Sequence, residues 1–361
     1  MMQISTLQLS GFRNLATADL IPAPDFNVFW GQNAQGKTNL LEAIYLLGTL
    51  KSFRTQRNED LICSGVAHSC LKAWVRTARV DHCLEIQLDG SHKRVRLDDK
   101  SVRRAHEVLG ILRPVLFSPE EVHLIKGPPA GRRDLLDRAL LHMDPGYLER
   151  FQDFLRVLRQ RNHLLRQNAH PAELAPWTRS LIHAGALIRA ERFHFAARLR
   201  PHLARVYDHL SEGREQAELD YPGSSSGDFA EDLRQDLARL QQEERRLGQT
   251  LAGPHRDDPN FLVNGRSLRA FGSQGQQRCF ILAFKAAQIE LLEELTGHSP
   301  LLLLDDITSE LDSRRKSFLF EFLRERRGQV FLTTTDAESL RRQGLAQARF
   351  FHVSKGHWHH D

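Results

Sequence analysis

The sequence predicts an α/β fold whose sheet-forming ends enclose a helical middle. Three observations carry that prediction. A glycine-rich turn, Gly31-Gln32-Asn33-Ala34-Gln35-Gly36-Lys37-Thr38, stands between an apolar run and a helical one. Four leucines, Leu301 to Leu304, run straight into Asp305-Asp306. Between these landmarks the apolar residues recur at helical spacing, as Phe151, Phe154, Leu155, Leu158 and Leu165 do.

Taken in order, Ile4 to Leu9 is a mixed apolar run, and Phe26 to Trp30 is a short apolar run stopped by Gly31, the pattern of a buried strand. From Leu71 to Leu97 apolar and polar residues alternate, with a hairpin turn expected at Asp89-Gly90. That stretch predicts an antiparallel sheet with one wet face. In the middle, Leu233, Leu237, Leu240 and Leu247 form a second helical stripe, and Leu181 to Arg200 forms a helix that Pro201 should kink or break. No apolar face is long enough for a long coiled coil. Leu301 to Leu304 and Val330 to Leu332 fit central parallel strands, with helices around Gln276 to Leu295 and Asp312 to Arg327. One domain split by an insertion explains this order: residues 1–115 and 251–361 as one lobe, and residues 116–250 as a helical second lobe.

The glycine-rich turn matches G-x-x-x-x-G-K-[ST] at every fixed position and has the strand before it and the helix after it that the motif requires. Backbone N–H groups and a helix N-terminus attract phosphate oxygens. Gly31, Gln32, Asn33, Ala34, Gln35, Gly36, Lys37 and Thr38 are therefore candidates for ATP binding. Lys37 would reach the β and γ phosphates, and the Thr38 hydroxyl would hold Mg2+. Leu301 to Asp306 would deliver two carboxylates at the C-terminal end of a buried strand, where α/β sheets bind ligands. Asp305 would hold Mg2+, and Asp306 would orient or deprotonate the attacking water. Thr38 and Asp305 lie 267 residues apart, an interval typical of ABC-type ATPases with their insertions.

Ser273-Gln274-Gly275-Gln276 precedes a helix and admits two readings. As S-x-x-Q it is a capping box. As Ser-x-Gly-Gln it is an ABC signature, in which Ser273, Gly275 and Gln276 present a helix N-terminus to a γ-phosphate held by another subunit. Both readings use the same N–H groups. Ile307-Thr308-Ser309-Glu310-Leu311-Asp312 is either the loop that crosses an ABC dimer interface or a helix start capped by Asp312.

Composition narrows the function classes. The chain has 361 residues, 41 % hydrophobic and 26 % charged, enough for a real core. No apolar run approaches the roughly 18 residues of a membrane span, and Met1 to Leu9 lacks the features of a signal peptide. A cytoplasmic location is expected. The four cysteines form no Cys-x-x-Cys pair and read as reduced packing residues. The tail His357-Trp358-His359-His360 reads as a loose polar terminus rather than a metal site. The net charge of +5 suits a polyanion partner. Basic clusters occur at Lys93 to Arg104, at Arg156, Arg159, Arg161 and Arg166, and at Arg314 to Lys316. Each is expected on a solvated face.

Together these motifs resemble the RecF family of SMC-like, ABC-type ATPases. Three further segments carry the resemblance: Gly11-Phe12-Arg13-Asn14; Phe117-Ser118-Pro119-Glu120-Glu121 with Gly127-Pro128-Pro129-Ala130-Gly131-Arg132-Arg133; and Leu251-Ala252-Gly253-Pro254-His255-Arg256-Asp257-Asp258. The last two look like the family's linkers into and out of its second lobe. The resemblance runs from residue 4 to about 355. It implies an SMC-head-like P-loop ATPase lobe with an inserted, mostly helical lobe and no long coiled coil. It also implies weak ATP hydrolysis, an ATP-dependent homodimer, and binding to gapped, single-stranded and double-stranded DNA. RecO and RecR would be partners in loading RecA, with roles in recombinational repair, replication and the SOS response. Lys51-Ser52-Phe53-Arg54-Thr55-Gln56-Arg57 resembles the loop that couples DNA to ATP in SMC heads. Arg54 and Arg57 are thus candidate nucleic-acid contacts, the other reading being surface arginines.

Three departures stand out. Ala34 replaces the glycine usual in the family's phosphate loop; if the site needs a positive φ, it costs on the order of 1 kcal/mol. Phe117-Ser118-Pro119-Glu120 occupies the Q-loop place without a Gln, and Thr333-Thr334-Thr335-Asp336 the place of a transporter's switch His. Those two absences disfavour a transporter ATPase. The distant acid pair and Ser273 to Gln276 disfavour a small-molecule kinase, and the intact Lys37, Thr38, Asp305 and Asp306 disfavour a DNA-binding protein with a decayed ATPase.

Overall fold

The computed structural model describes residues 2–77, 80–306, 311–345 and 347–360. Two compact units divide the chain: Met1–Val122 with Phe284–Asp361, and His123–Ala283.

The first unit opens with strands β1 (Gln3–Phe12), β2 (Leu15–Leu20) and β3 (Phe26–Trp30), followed by helix α1 (Lys37–Thr49). Then come β4 (His68–Arg76), β5 (Asp81–Asp89), β6 (His92–Leu97), β7 (Lys100–Ser101) and β8 (Pro114–Phe117). An antiparallel sheet in the order β2-β1-β4-β5-β6-β7 answers to the alternation in the sequence. Along β4, Ser69, Leu71, Ala73 and Val75 are buried while their neighbours are not, as a period-two strand requires. The β5–β6 hairpin turns at Gly90-Ser91, with Gly90 at φ 53, a value that favours glycine.

The second unit is mostly helical. Its main helices are Pro129–Met143, Tyr147–Arg166 and Pro171–Ser211, with shorter ones at Phe229–Arg239 and Gln241–Leu247. Strands β9 (Ala217–Asp220), β10 (Asn260–Val263) and β11 (Arg266–Ser267) add a small antiparallel sheet. Of the two outcomes expected at Pro201, a kink or a break, the break does not occur; the helix runs 41 residues, through Pro176 and Pro201. An interior proline costs about 3 kcal/mol. Leu199, Leu203, Val206 and Tyr207 are buried on either side of it and hold the segment helical. Leu247 also departs from its expected stripe and is 45 % exposed, because Leu240 separates two helices and the register is lost. Arg161 departs from the surface reading of its cluster. It is buried and donates to Glu244 Oε2 at 2.6 Å and Thr250 Oγ1 at 2.7 Å.

Helix Gln274–Thr296 leads back to the first unit, where β12 (Leu301–Asp305), β13 (Val330–Thr334), β14 (Arg349–Ser354) and β15 (His357–His360) complete a second sheet. Its order is β15-β14-β3-β13-β12-β8, parallel except for β15. Every residue of β12 and β13 is buried, which explains runs as apolar as Leu301 to Leu304. The histidine-rich tail is a paired strand rather than a loose end: Trp358 lies opposite Val353, and its Nε1–H donates to Asp19 O at 3.2 Å. Gln329, fully buried just before β13, ties the two sheets together. Its Nε2 donates to Ile4 O at 3.0 Å and Ala23 O at 2.8 Å, while Ile4 N–H donates to its Oε1 at 2.8 Å.

Replacing Gln329 with Met keeps most of the volume but strands the Ile4 amide. The expected cost is about 1–3 kcal/mol, seen as a lower urea midpoint. An unchanged midpoint would show that this amide does not tie the sheets.

Candidate nucleotide site

The site is built at the C-terminal ends of β3 and β12, where an open parallel sheet leaves its crevice. After Trp30 the chain turns sharply through Gly31, at φ 150; a Cβ there would lie 2.4 Å from Val353 O. Gly36, at φ 111, begins α1, and a Cβ on it would lie 2.8 Å from Asn14 Oδ1. The loop cannot follow this path with larger residues at either place. Ala34 has φ 63, so the condition attached to it in the sequence is met, and the phosphate loop carries that strain. The β14–β15 turn braces the loop from outside. Gly356 N–H donates to Gln35 O at 2.9 Å, and Lys355 N–H to the Gln35 side chain at 2.7 Å.

Lys37 Nζ folds back over this loop, donating to Gly31 O at 2.5 Å and Gln32 O at 2.8 Å. Burial lowers its pKa, opposed by the nearby carboxylates of Asp306 and Asp305. No side chain caps α1, and no acidic residue stands in its first turn. The helix start is left for an anion. One residue on, the Thr38 hydroxyl donates to Asp305 Oδ1 at 2.8 Å. Asp305 also accepts from Thr333 Oγ1 at 2.8 Å. Burial raises the Asp305 pKa, while the hydrogen bonds from Thr38 and Thr333 pull it back. Asp306 follows with φ 43, its N–H donating to Thr333 Oγ1 at 2.9 Å. A glycine cradle, an ammonium, an uncapped helix start and a hydroxyl–carboxylate pair fit a nucleotide triphosphate with a divalent cation.

Around α1 lies a network that sequence reasoning missed. Glu42, fully buried, accepts from Arg13 Nε at 2.9 Å and Nη2 at 2.7 Å, from Ser52 Oγ at 2.5 Å, and from Arg54 Nη1 at 3.3 Å. Arg54 Nη1 also donates to Asn39 Oδ1 at 2.8 Å, next to Thr38. Both arginines, Arg54 and Arg57, are exposed, and Arg54 touches the phosphate-loop helix. A glutamate on an otherwise apolar helix was the only signal for Glu42, and it reads equally well as surface.

Ser273, Gly275 and Gln276 belong to the second unit. There the capping box forms: Ser273 N–H donates to Gln276 Oε1 at 2.9 Å, and Gln276 N–H to Ser273 Oγ at 3.1 Å. Gln276 Nε2 donates to Glu215 Oε1 at 2.7 Å. Ile307 to Glu310 lie outside the described residues; Asp312 caps helix Ser313–Arg324 by accepting from Arg315 N–H at 2.9 Å. At the Q-loop place, Glu121 accepts from the buried Lys285 Nζ at 2.7 Å. The two linker-like segments meet within the second unit. Arg132 grips Asp258 through Nε at 2.7 Å and Nη2 at 2.9 Å, and Arg133 donates to Asp257 O at 2.6 Å.

Comparison with known proteins agrees with this architecture. The family described as RecF/RecN/SMC N terminal domain matches residues 3–357. A DNA replication and repair protein RecF of Syntrophotalea carbinolica is 46 % identical over 357 residues, covering 98 % of each chain. The corresponding protein of Geobacter metallireducens is 42 % identical over 361 residues, covering 98 % of this chain and 99 % of its own. A solved structure of the recombination mediator protein RecF-ATPrS in the RecFOR pathway superposes with TM-score 0.91 at 29 % identity, over 99 % of this chain and 98 % of that one. The Smc head domain of Pyrococcus furiosus, at 16 % identity and TM-score 0.59, shares the fold. A split α/β nucleotide lobe with a helical insertion, matched along nearly its whole length, places the chain in the RecF family of SMC-like ATPases.

Proposed function

We propose that this chain is an ATP-dependent DNA-binding protein of recombinational repair, which closes as a dimer on DNA around bound ATP. The observation that carries the proposal is the contact between Thr38 and Asp305, beside the glycine-rich loop and the uncapped start of α1. Family membership and the RecF-ATPrS neighbour support ATP as the ligand and DNA repair as the setting.

Bound MgATP would supply the triphosphate that joins two subunits. Lys37, Thr38 and the loop from Gly31 would bind its phosphates, and Thr38 and Asp305 would hold the cation. Asp306 would orient the attacking water and accept its proton. Within one chain these residues form half a site. Ser273, Gly275 and Gln276 of a second copy would complete it with the N-terminus of their helix. Hydrolysis would then reopen the dimer. Asp306 is one methylene shorter than a glutamate, which supports slow turnover.

The DNA surface would read phosphates rather than bases. Arg54 and Arg57 are its candidate contacts, and the Arg54–Asn39 bond would connect DNA to the nucleotide. Gapped DNA and single-strand junctions are the proposed substrates. RecO and RecR are the proposed partners in loading RecA, with consequences for replication and SOS induction. No helix among the described residues is long and apolar enough to cross a membrane, which supports a cytoplasmic setting.

Three outcomes are expected. Static light scattering should show a dimer with ATP but not ADP, and Ser273→Arg should abolish it; a persisting dimer would refute the completion of the site by a second copy. Asp306→Asn should lower turnover on the order of 10²-fold or more while ATP still binds; unchanged turnover would remove Asp306 from that role. DNA affinity should fall steeply with salt, and Arg57→Ala should reduce the slope of log K against log salt by about 1. A salt-insensitive complex would contradict the phosphate account.

A further inference from the structure

The two carboxylates at the end of β12 differ in how they are held. Asp305 still belongs to the strand and pairs with Thr333 of β13 in register. Asp306 has left it, and its φ of 43 lies in the left-handed region, which is uncommon for a residue with a side chain. Such a turn persists only where its surroundings over-determine it. One group in contact with the turn is the Thr333 hydroxyl. It is fully buried, and it donates to Asp305 Oδ1 at 2.8 Å while accepting from Asp306 N–H at 2.9 Å. A hydroxyl has one proton and two lone pairs, so this geometry uses it as donor and acceptor together. It locks the peptide between the two carboxylates to the neighbouring strand.

We propose that Thr333 is a positioning residue: its hydroxyl fixes the left-handed turn that aims the Asp306 carboxylate, and thereby sets the rate of the chemical step. Thr333 need not touch nucleotide to do this. It acts through the Asp306 amide, and its own proton goes to Asp305 Oδ1. Valine has nearly the same shape and neither hydrogen-bonding function. Serine keeps both functions and loses only the methyl group.

The test has two arms on the full-length chain. The first measures hydrogen exchange of the Asp306 amide without nucleotide. Thr333→Val should speed exchange at least about tenfold, and Thr333→Ser should stay near wild type. The second measures ATP turnover and rests on the reading of Asp306 given above. Thr333→Val should lower kcat roughly tenfold to a hundredfold with KM within about threefold, and Thr333→Ser should recover most of the rate. Loss of protection and of kcat in Val, with both kept in Ser, supports the proposal. Unchanged exchange in Val overturns it. So does lost protection with an unchanged kcat, or a Ser variant as impaired as Val, which would assign the effect to packing. Wild-type protein without ATP turnover would sink the ATPase reading instead, and the exchange arm would still decide whether Thr333 holds the turn.

Discussion

One hydrogen bond organises this molecule: the Thr38 hydroxyl on Asp305 Oδ1, at 2.8 Å between residues 267 positions apart. The bond can form only if β3 and β12 lie in one sheet with their C-terminal ends level, and the order β3-β13-β12 provides that. It also requires that everything inserted between them begin and end near the sheet. Along the chain, the second unit follows β8 and ends within helix Gln274–Thr296, which continues into the first unit. The long separation in sequence is thus a consequence of where the insertion sits, and the short separation in space is a consequence of the sheet.

The site is assembled from groups that would be unfavourable elsewhere. Ala34 and Asp306 both adopt positive φ, Lys37 is 6 % exposed, and Asp305 is buried with its pKa raised. Each costs free energy in isolation. The surroundings offset these costs with partners: Gly31 and Gln32 carbonyls for Lys37, two hydroxyls for Asp305, and the β14–β15 turn for the loop around Ala34. Buried polar groups away from the site obey the same rule. Glu42, Gln329 and Arg161 are each buried and each bound by several partners. A polar group taken out of water survives where its hydrogen bonds are replaced.

Local rules made some of this readable in the sequence. The phosphate loop between a strand and a helix, the leucine run ending in two aspartates, the hairpin at Gly90 and the cap at Asp312 all depend on residues within a few positions of each other. What escaped depends on partners distant in the chain. The helix continues past the exposed Pro201 because Leu199, Leu203, Val206 and Tyr207 are buried on its other face, Arg161 is buried because Glu244 is there to receive it, and the histidine tail is a strand because β14 offers an edge. Thr333 read only as the place where a transporter has a histidine, since its two partners, Asp305 and Asp306, lie 28 and 27 residues earlier in the chain. The segments around Arg132 and Asp258 read as separate linkers, and the bond between them needed the fold.

If the account holds, a single chain carries one wall of a nucleotide site in its first unit and the complementary helix start, at Ser273, in its second. The most direct test is a crystal structure of the full chain with a non-hydrolysable ATP analogue and Mg2+. The account predicts one γ-phosphate lying between Lys37 of one chain and Ser273 of a second, with Thr38 and Asp305 both at the cation. An analogue enclosed by a single chain, or bound with Lys37 and Asp305 in separate pockets, would contradict it.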